Sequence, residues 1–157
     1  MPSRPISDQK VNLAQLPNYL GYQIRQAQIA VFKDLLVPLK DLNLTPGEFS
    51  LLTSVRYNKG VSQIELASVY DIDKSTLSHS IKRMVNRRLI IRKRLENDRR
   101  YYGLSLTPTG SRLLKRVTSI VESQEELMES VVTKAEKEKF LQILSRICNV
   151  LAKSKTE

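Results

Sequence analysis

The chain is poor in the residues that build several kinds of site. It has one cysteine, one histidine and no tryptophan in 157 residues, with 5 glycines and 6 prolines. A lone Cys148 excludes an internal disulfide and any multi-cysteine metal cage. A lone His79 excludes a histidine-based metal site and, by itself, a catalytic triad. So few glycines and prolines argue for long helices over a turn-rich sandwich. No apolar run approaches the roughly 18 residues that span a bilayer. Residues 1–10 lack the apolar stretch of a secretory signal and read as a flexible polar arm. The expectation is a cytoplasmic protein with no membrane partner. No glycine-rich phosphate loop, nucleophile motif or metal-ligand cluster is present, so no catalytic residue, metal or cofactor is expected.

What is abundant is positive charge, and it is concentrated. Lys and Arg number 26 against 16 Asp and Glu, a net charge of +10. Between Lys74 and Arg116 there are 13 basic and 2 acidic residues; the rest of the chain holds 13 and 14. The whole excess therefore falls in one window. A dispersed excess would speak only to solubility, whereas a concentrated one is the footprint of a polyanion. A membrane surface would favour a basic helix with bulky apolar residues opposite and no further fold. With 41% apolar residues a packed core is expected.

The periodicity predicts helices separated by well-marked caps. Leu13, Leu16, Leu20, Ile24, Ala27, Val31 and Leu35 recur at spacings of three and four. They predict a first helix of about seven turns, near 40 Å long, closed near Pro38. Thr45-Pro46-Gly47-Glu48 is a helix start, followed by buried-side Phe49, Leu51, Leu52 and Val55. Asn58-Lys59-Gly60 stops that helix. Ser62-Gln63-Ile64-Glu65 is a second capping box with Val61 as staple. Its short helix runs to about Val69, Tyr70-Asp71-Ile72 turns, and Asp73 caps a helix over 74–88. Two short helices joined this way form a helix-turn-helix pattern. Stretches 89–95 and 101–106 are strand-like, with Tyr102, Leu104 and Leu106 alternating around a tip at residues 96–100. A hairpin directly after a helix-turn-helix is a wing. Thr107-Pro108 and the Thr133-Glu136 capping box then open two terminal helices with apolar faces.

The second helix of the pair carries the chemistry. At 100° per residue, Leu77, Ile81, Met84 and Val85 fall on one side. Ser75, His79, Lys82, Arg83 and Asn86 fall on the other, with Lys74, Thr76 and Ser78 beside them. Short hydroxyls permit close approach to base edges in the major groove, and cations neutralise phosphates. His79 reads as a base or phosphate contact. Arg99 and Arg100 at the hairpin tip suit a narrow minor groove, with Asp98 able to hold a guanidinium in place. A nonspecific or architectural nucleic-acid-binding protein would need only cations, and the Ser, Thr and His of the reading face argue against it.

Residues 66–110 resemble the MarR family of winged helix-turn-helix transcriptional regulators. The resemblance rests on Asp73-Lys74-Ser75-Thr76-Leu77-Ser78, on Leu89-Ile90 leading into the wing, on Asp98-Arg99-Arg100 at its tip, and on Leu104-Ser105-Leu106-Thr107-Pro108-Thr109-Gly110 leaving it. It implies a mainly α fold with a small β-wing (α+β), and a homodimer built from the first and last two helices. It also implies a pseudo-palindromic operator in double-stranded DNA, read by the helix in the major groove and by Asp98 and Arg100 at the wing. The family's habit further implies a small aromatic carboxylate or phenolic effector, for which Tyr19, Tyr22 and Arg25 are the candidate contacts. The functional expectation is a repressor relieved by such a ligand; a ligand-independent regulator is the alternative. Two positions depart from the family's habit: Asp71 and Arg88 both stand where glycine is common. Asp tolerates left-handed geometry, and Arg88 adds positive charge just before the wing.

The expected organisation is one integrated domain: an arm at 1–10, a dimerisation helix at 11–40, a winged helix-turn-helix at 41–107 and dimerisation helices at 108–157. A long first helix and two apolar terminal helices expose more seam than so small a domain can cover, which independently favours a dimer. A two-fold dimer would set its reading helices about 34–36 Å apart. Cys148, between apolar neighbours, is expected to be a buried structural thiol. Glu122, Glu125, Glu126 and Glu129 are expected to form a solvated face.

Overall fold

A computed structural model describes residues 11–94 and 102–154. A 3₁₀ turn, Leu16–Asn18, precedes helices α1 (Leu20–Asp41), α2 (Pro46–Tyr57), α3 (Gln63–Tyr70) and α4 (Lys74–Asn86). Strands β1 (Ile90–Arg94) and β2 (Tyr102–Leu106) follow, then α5 (Pro108–Glu129) and α6 (Lys134–Lys153). The expected caps are made. Thr45, Ser62 and Thr133 each accept the third backbone amide of their helix, and Glu48, Glu65 and Glu136 bond back to the cap amide. Asp73 and Thr107 cap α4 and α5.

The first helix differs from its prediction at both ends. Ala14 has a left-handed φ of 49° and Tyr19 is extended, so the stripe at Leu13 and Leu16 is not continuous with α1. Pro38 lies inside the helix, not at its end. Its missing donor is outweighed by burial: Leu35 and Leu39, one turn apart on either side of it, both enter the core. The 22 residues of α1 span about 33 Å, shorter than expected.

The antiparallel wing pairs Ile90 with Leu106, Arg92 with Leu104 and Arg94 with Tyr102, so these six share one face. Gly60 N donates to Leu104 O and Leu104 N donates to Val61 O, each at about 3 Å, fastening the wing to the α2–α3 link. Leu39, Leu52, Leu77, Ile81, Met84, Ile90, Leu104 and Val117 are almost completely buried and form the core where α2, α4, the wing base and α5 meet.

The terminal helices contrast with this. No residue of α6 is buried, and α1 buries only Leu35 and Leu39. Phe140, Leu141, Val150 and Leu151 stand exposed on α6, as do Leu20, Ile24, Ile29 and Phe32 on α1. Cys148 is consequently exposed in the single subunit, not buried as expected, because α6 packs no face into that subunit's core. The four glutamates of α5 are exposed as expected. Between them Gln124 is buried and donates to the Val31 carbonyl (2.9 Å) and Asp34 (2.8 Å), tying α5 to α1.

Candidate nucleic-acid interface

The apolar side of α4 packs as its spacing dictates: Leu77, Ile81 and Met84 are buried and Val85 is half-buried. The other side opens outward. Lys74, Ser75, Thr76, His79 and Lys82 are exposed and Ser78 is half-buried. At the start of the helix Asp73 accepts the Thr76 amide (2.8 Å), the Thr76 hydroxyl (2.5 Å) and the Ser75 hydroxyl. The bond from Ser75, then those from Thr76, hold the Asp73 carboxyl far below the usual carboxylate range. Both hydroxyl hydrogens are turned onto Asp73, so each oxygen presents acceptor lone pairs outward. Those suit the exocyclic amino donors of adenine and cytosine.

Arg83 sits differently from its neighbours. Its guanidinium forks onto Glu48 of α2, with Nε to Oε1 at 2.6 Å and Nη2 on Oε2. Glu48 is 3% exposed and also serves the Thr45 cap. Arg83 therefore docks α4 on α2 and is not a free cation of the reading face. Arg87 likewise turns inward, donating to the carbonyls of Leu42 (3.0 Å) and Asn43 at the α1–α2 corner. Sequence reasoning missed both partners. The Glu48 position signals a capping box, and nothing in a 35-residue separation points to Arg83.

Two left-handed residues set the direction of α4. Asp71, at φ 47°, makes the turn between α3 and α4. Arg88, at φ 56°, reverses the chain from α4 into β1. That second corner is pinned by Thr107, whose hydroxyl donates to the Arg88 carbonyl (2.6 Å) and accepts the Gly110 amide (2.9 Å). Gly110 packs so closely that an added Cβ would lie 2.0 Å from the Leu89 carbonyl oxygen. Only glycine fits there, which gives a steric reason for the glycine three residues after Thr107.

The remaining candidates are less assembled. Tyr19 and Arg25 are exposed and Tyr22 is half-buried on the first turns of α1, away from the core. Asp98, Arg99 and Arg100 lie outside the described residues. The strands leading to them carry Arg92, Lys93 and Arg94, all exposed. Arg94 leans over Tyr102, 5.8 Å from the ring centre.

A family model described as MarR family matches residues 44–102, from the α2 cap through the start of β2. A curated relative from Thauera aromatica, a putative transcriptional regulatory protein for the hcr operon, is 30% identical over 129 residues. That alignment covers 82% of this chain and 78% of the relative. The chain belongs to the MarR family. Its fold agrees in detail with solved relatives. The transcriptional repressor CouR bound to a 23-mer DNA duplex superposes with a TM-score of 0.81 at 28% identity, over 88% of this chain and 99% of that one. CouR bound to p-coumaroyl-CoA gives 0.79 at 27%, over 88% and 98%. This MarR-family chain is thus a DNA-binding transcriptional regulator with a mainly helical winged fold.

Proposed function

We propose that the protein is a homodimeric repressor that reads a pseudo-palindromic operator and leaves it on binding an aromatic acid, a phenol or the corresponding coenzyme A thioester. The observation that carries the DNA half is the exposed stripe Lys74, Ser75, Thr76, His79 and Lys82, with half-buried Ser78 among them, set beside a cationic wing in a chain whose whole charge excess lies there. In this reading α4 enters the major groove and Arg99 and Arg100, oriented by Asp98, enter the minor groove. Arg83 acts behind them as a strut. The unburied apolar faces of α1, α5 and α6 are the dimer seam: residues 11–40 and 108–157 pair two copies around the winged segment 41–107.

The effector half rests on chemistry and kinship. Tyr19 and Tyr22 offer stacking surfaces, and Arg25 offers a charge-assisted partner for a carboxylate. The CouR complex with p-coumaroyl-CoA supports widening the class from free acids to thioesters. The decisive experiment is a footprint of the protein on the DNA upstream of its own gene, repeated with a panel of aromatic acids, phenols and their coenzyme A thioesters. Protection of two half-sites, lost with one compound, is expected. An unprotected upstream region would overturn the operator reading; protection that no compound relieves would favour the ligand-independent alternative.

A further inference from the structure

We propose that the groove between the start of α4 and the wing seats one DNA backbone phosphate with its deoxyribose, gripped by Lys74 and Arg92. The inference rests on the DNA-binding reading above and goes beyond it by assigning a site and residues within it.

The groove is a cavity of about 270 Å³ walled by Gln63 and Ile64 of α3, Lys74 of α4, Arg92 of β1, and Tyr102 and Leu104 of β2. Its floor is apolar, with Leu104 buried and the Ile64 side chain and Tyr102 ring beside it. Its rim is cationic. Arg92 makes one long bond across the groove, from Nη2 to Oε1 of the Gln63 side chain at 3.5 Å. Among the described residues no carboxylate pairs with Lys74 or Arg92. Two acids next to the groove are already engaged as caps: Glu65 accepts the Ser62 amide (2.7 Å), and Asp73 accepts Ser75 and Thr76. Among the described residues, then, the two cations are left for an outside anion.

Duplex geometry says which anion. The major and minor grooves are divided by a sugar-phosphate strand. A protein with α4 in one groove and the wing in the other must let that strand cross the gap between them, and this cavity is that gap. A phosphodiester matches it part by part. Its oxygens meet the guanidinium fork and the ammonium, and its sugar C–H surface meets Ile64, Leu104 and the Tyr102 ring.

The test is the salt dependence of binding to a random-sequence duplex, followed by fluorescence anisotropy between about 50 and 200 mM salt. Arg92→Gln and Lys74→Gln are each expected to flatten log Kd against log salt. The double variant is expected to flatten it by about 0.9 per bound subunit, the signature of one phosphate served by two groups. Arg56→Gln is the control, since Arg56 is exposed at the end of α2 and lines neither the groove nor the wing. It is expected to leave the slope in place. A double variant with the parental slope, or an Arg56→Gln effect as large as that of Arg92→Gln, would overturn the seat. So would benzoate binding that the double variant abolishes while its slope stands, which would make the groove a small-acid site. A wild-type protein that binds neither this duplex nor its upstream DNA would instead bring down the DNA-binding reading, and the seat with it.

Discussion

Helix α4 uses positive charge in opposite ways on its two sides. On one side Lys74 and Lys82 stand free beside acceptor hydroxyls and an exposed histidine. On the other Arg83 is committed to Glu48, and Arg87, just past the last turn, to the carbonyls of Leu42 and Asn43. The first side is surface offered to a ligand. The second is the mounting that sets the angle at which that surface is offered. A charge count over the window treats the two alike and so overstates what DNA can see, because part of the excess neutralises the protein's own acceptors. The lysines, compact and strongly hydrated, stay outward, whereas the arginines, whose planar forks match a carboxylate or paired carbonyls, turn in.

If the second side is a mounting, damage to its corner should be felt most in stability. Gly110→Ala would drive a methyl into the Leu89 carbonyl, a backbone atom that cannot swing aside. A loss of about 3 kcal/mol is expected, read as a large fall in the denaturant midpoint. A midpoint near the parent's would mean the α4–β1 corner yields easily and mounts nothing.

Glu48→Gln comes next. The amide oxygen can still accept the Thr45 amide, so the cap survives while the charged fork to Arg83 is lost. Breaking a fully buried pair costs about 3–5 kcal/mol. Arg83 is 40% exposed on its side chain and can turn to water, so a smaller loss of about 2 kcal/mol is expected. Affinity for random duplex is expected to hold or rise, because a cation formerly held inward is released. A stable variant with weakened DNA binding would instead place Arg83 on the reading face.

This division between the sides marks how far the sequence was legible. Local signals carried the elements. Three capping boxes, the Asp73 cap and the 3.6-residue stripe of α4 each depend on residues within one or two turns, and each appears as read. What depended on distant partners did not show. The Glu48–Arg83 fork, the Arg87 clamp and the Gln124 tie join residues 35 to 93 positions apart. Pro38 misled because its local rule yields to the burial of Leu35 and Leu39, which only the folded core supplies. Cys148 misled for the converse reason: its apolar neighbours belong to a face that the single subunit leaves uncovered.

The contrast sharpens further when two adjacent cations are compared by the same measurement. Lys82→Ala removes an outward charge and is expected to lower the salt slope by about 0.9 per subunit if Lys82 neutralises a phosphate. Arg83→Gln removes an inward one and is expected to leave the slope unchanged while lowering the denaturant midpoint. Equal slopes in the two variants would erase the distinction between free and committed sides.

The smallest effect expected is at Arg88, where the mounting meets the wing. Its φ of 56° is a conformation that costs a side-chain-bearing residue about 1–2 kcal/mol. Arg88→Gly would remove that strain but restore chain freedom to the unfolded state, worth roughly 0.5–1 kcal/mol in the other direction. The net is a gain of about 0.5 kcal/mol, read as a small rise in the denaturant midpoint. The Arg88 side chain is exposed, and its carbonyl, held by Thr107, is unaffected by the change. A fall in the midpoint would therefore mean that the guanidinium itself stabilises the corner by more than the backbone strain costs. Arg88 would then join Arg83 and Arg87 as a third arginine serving the mounting.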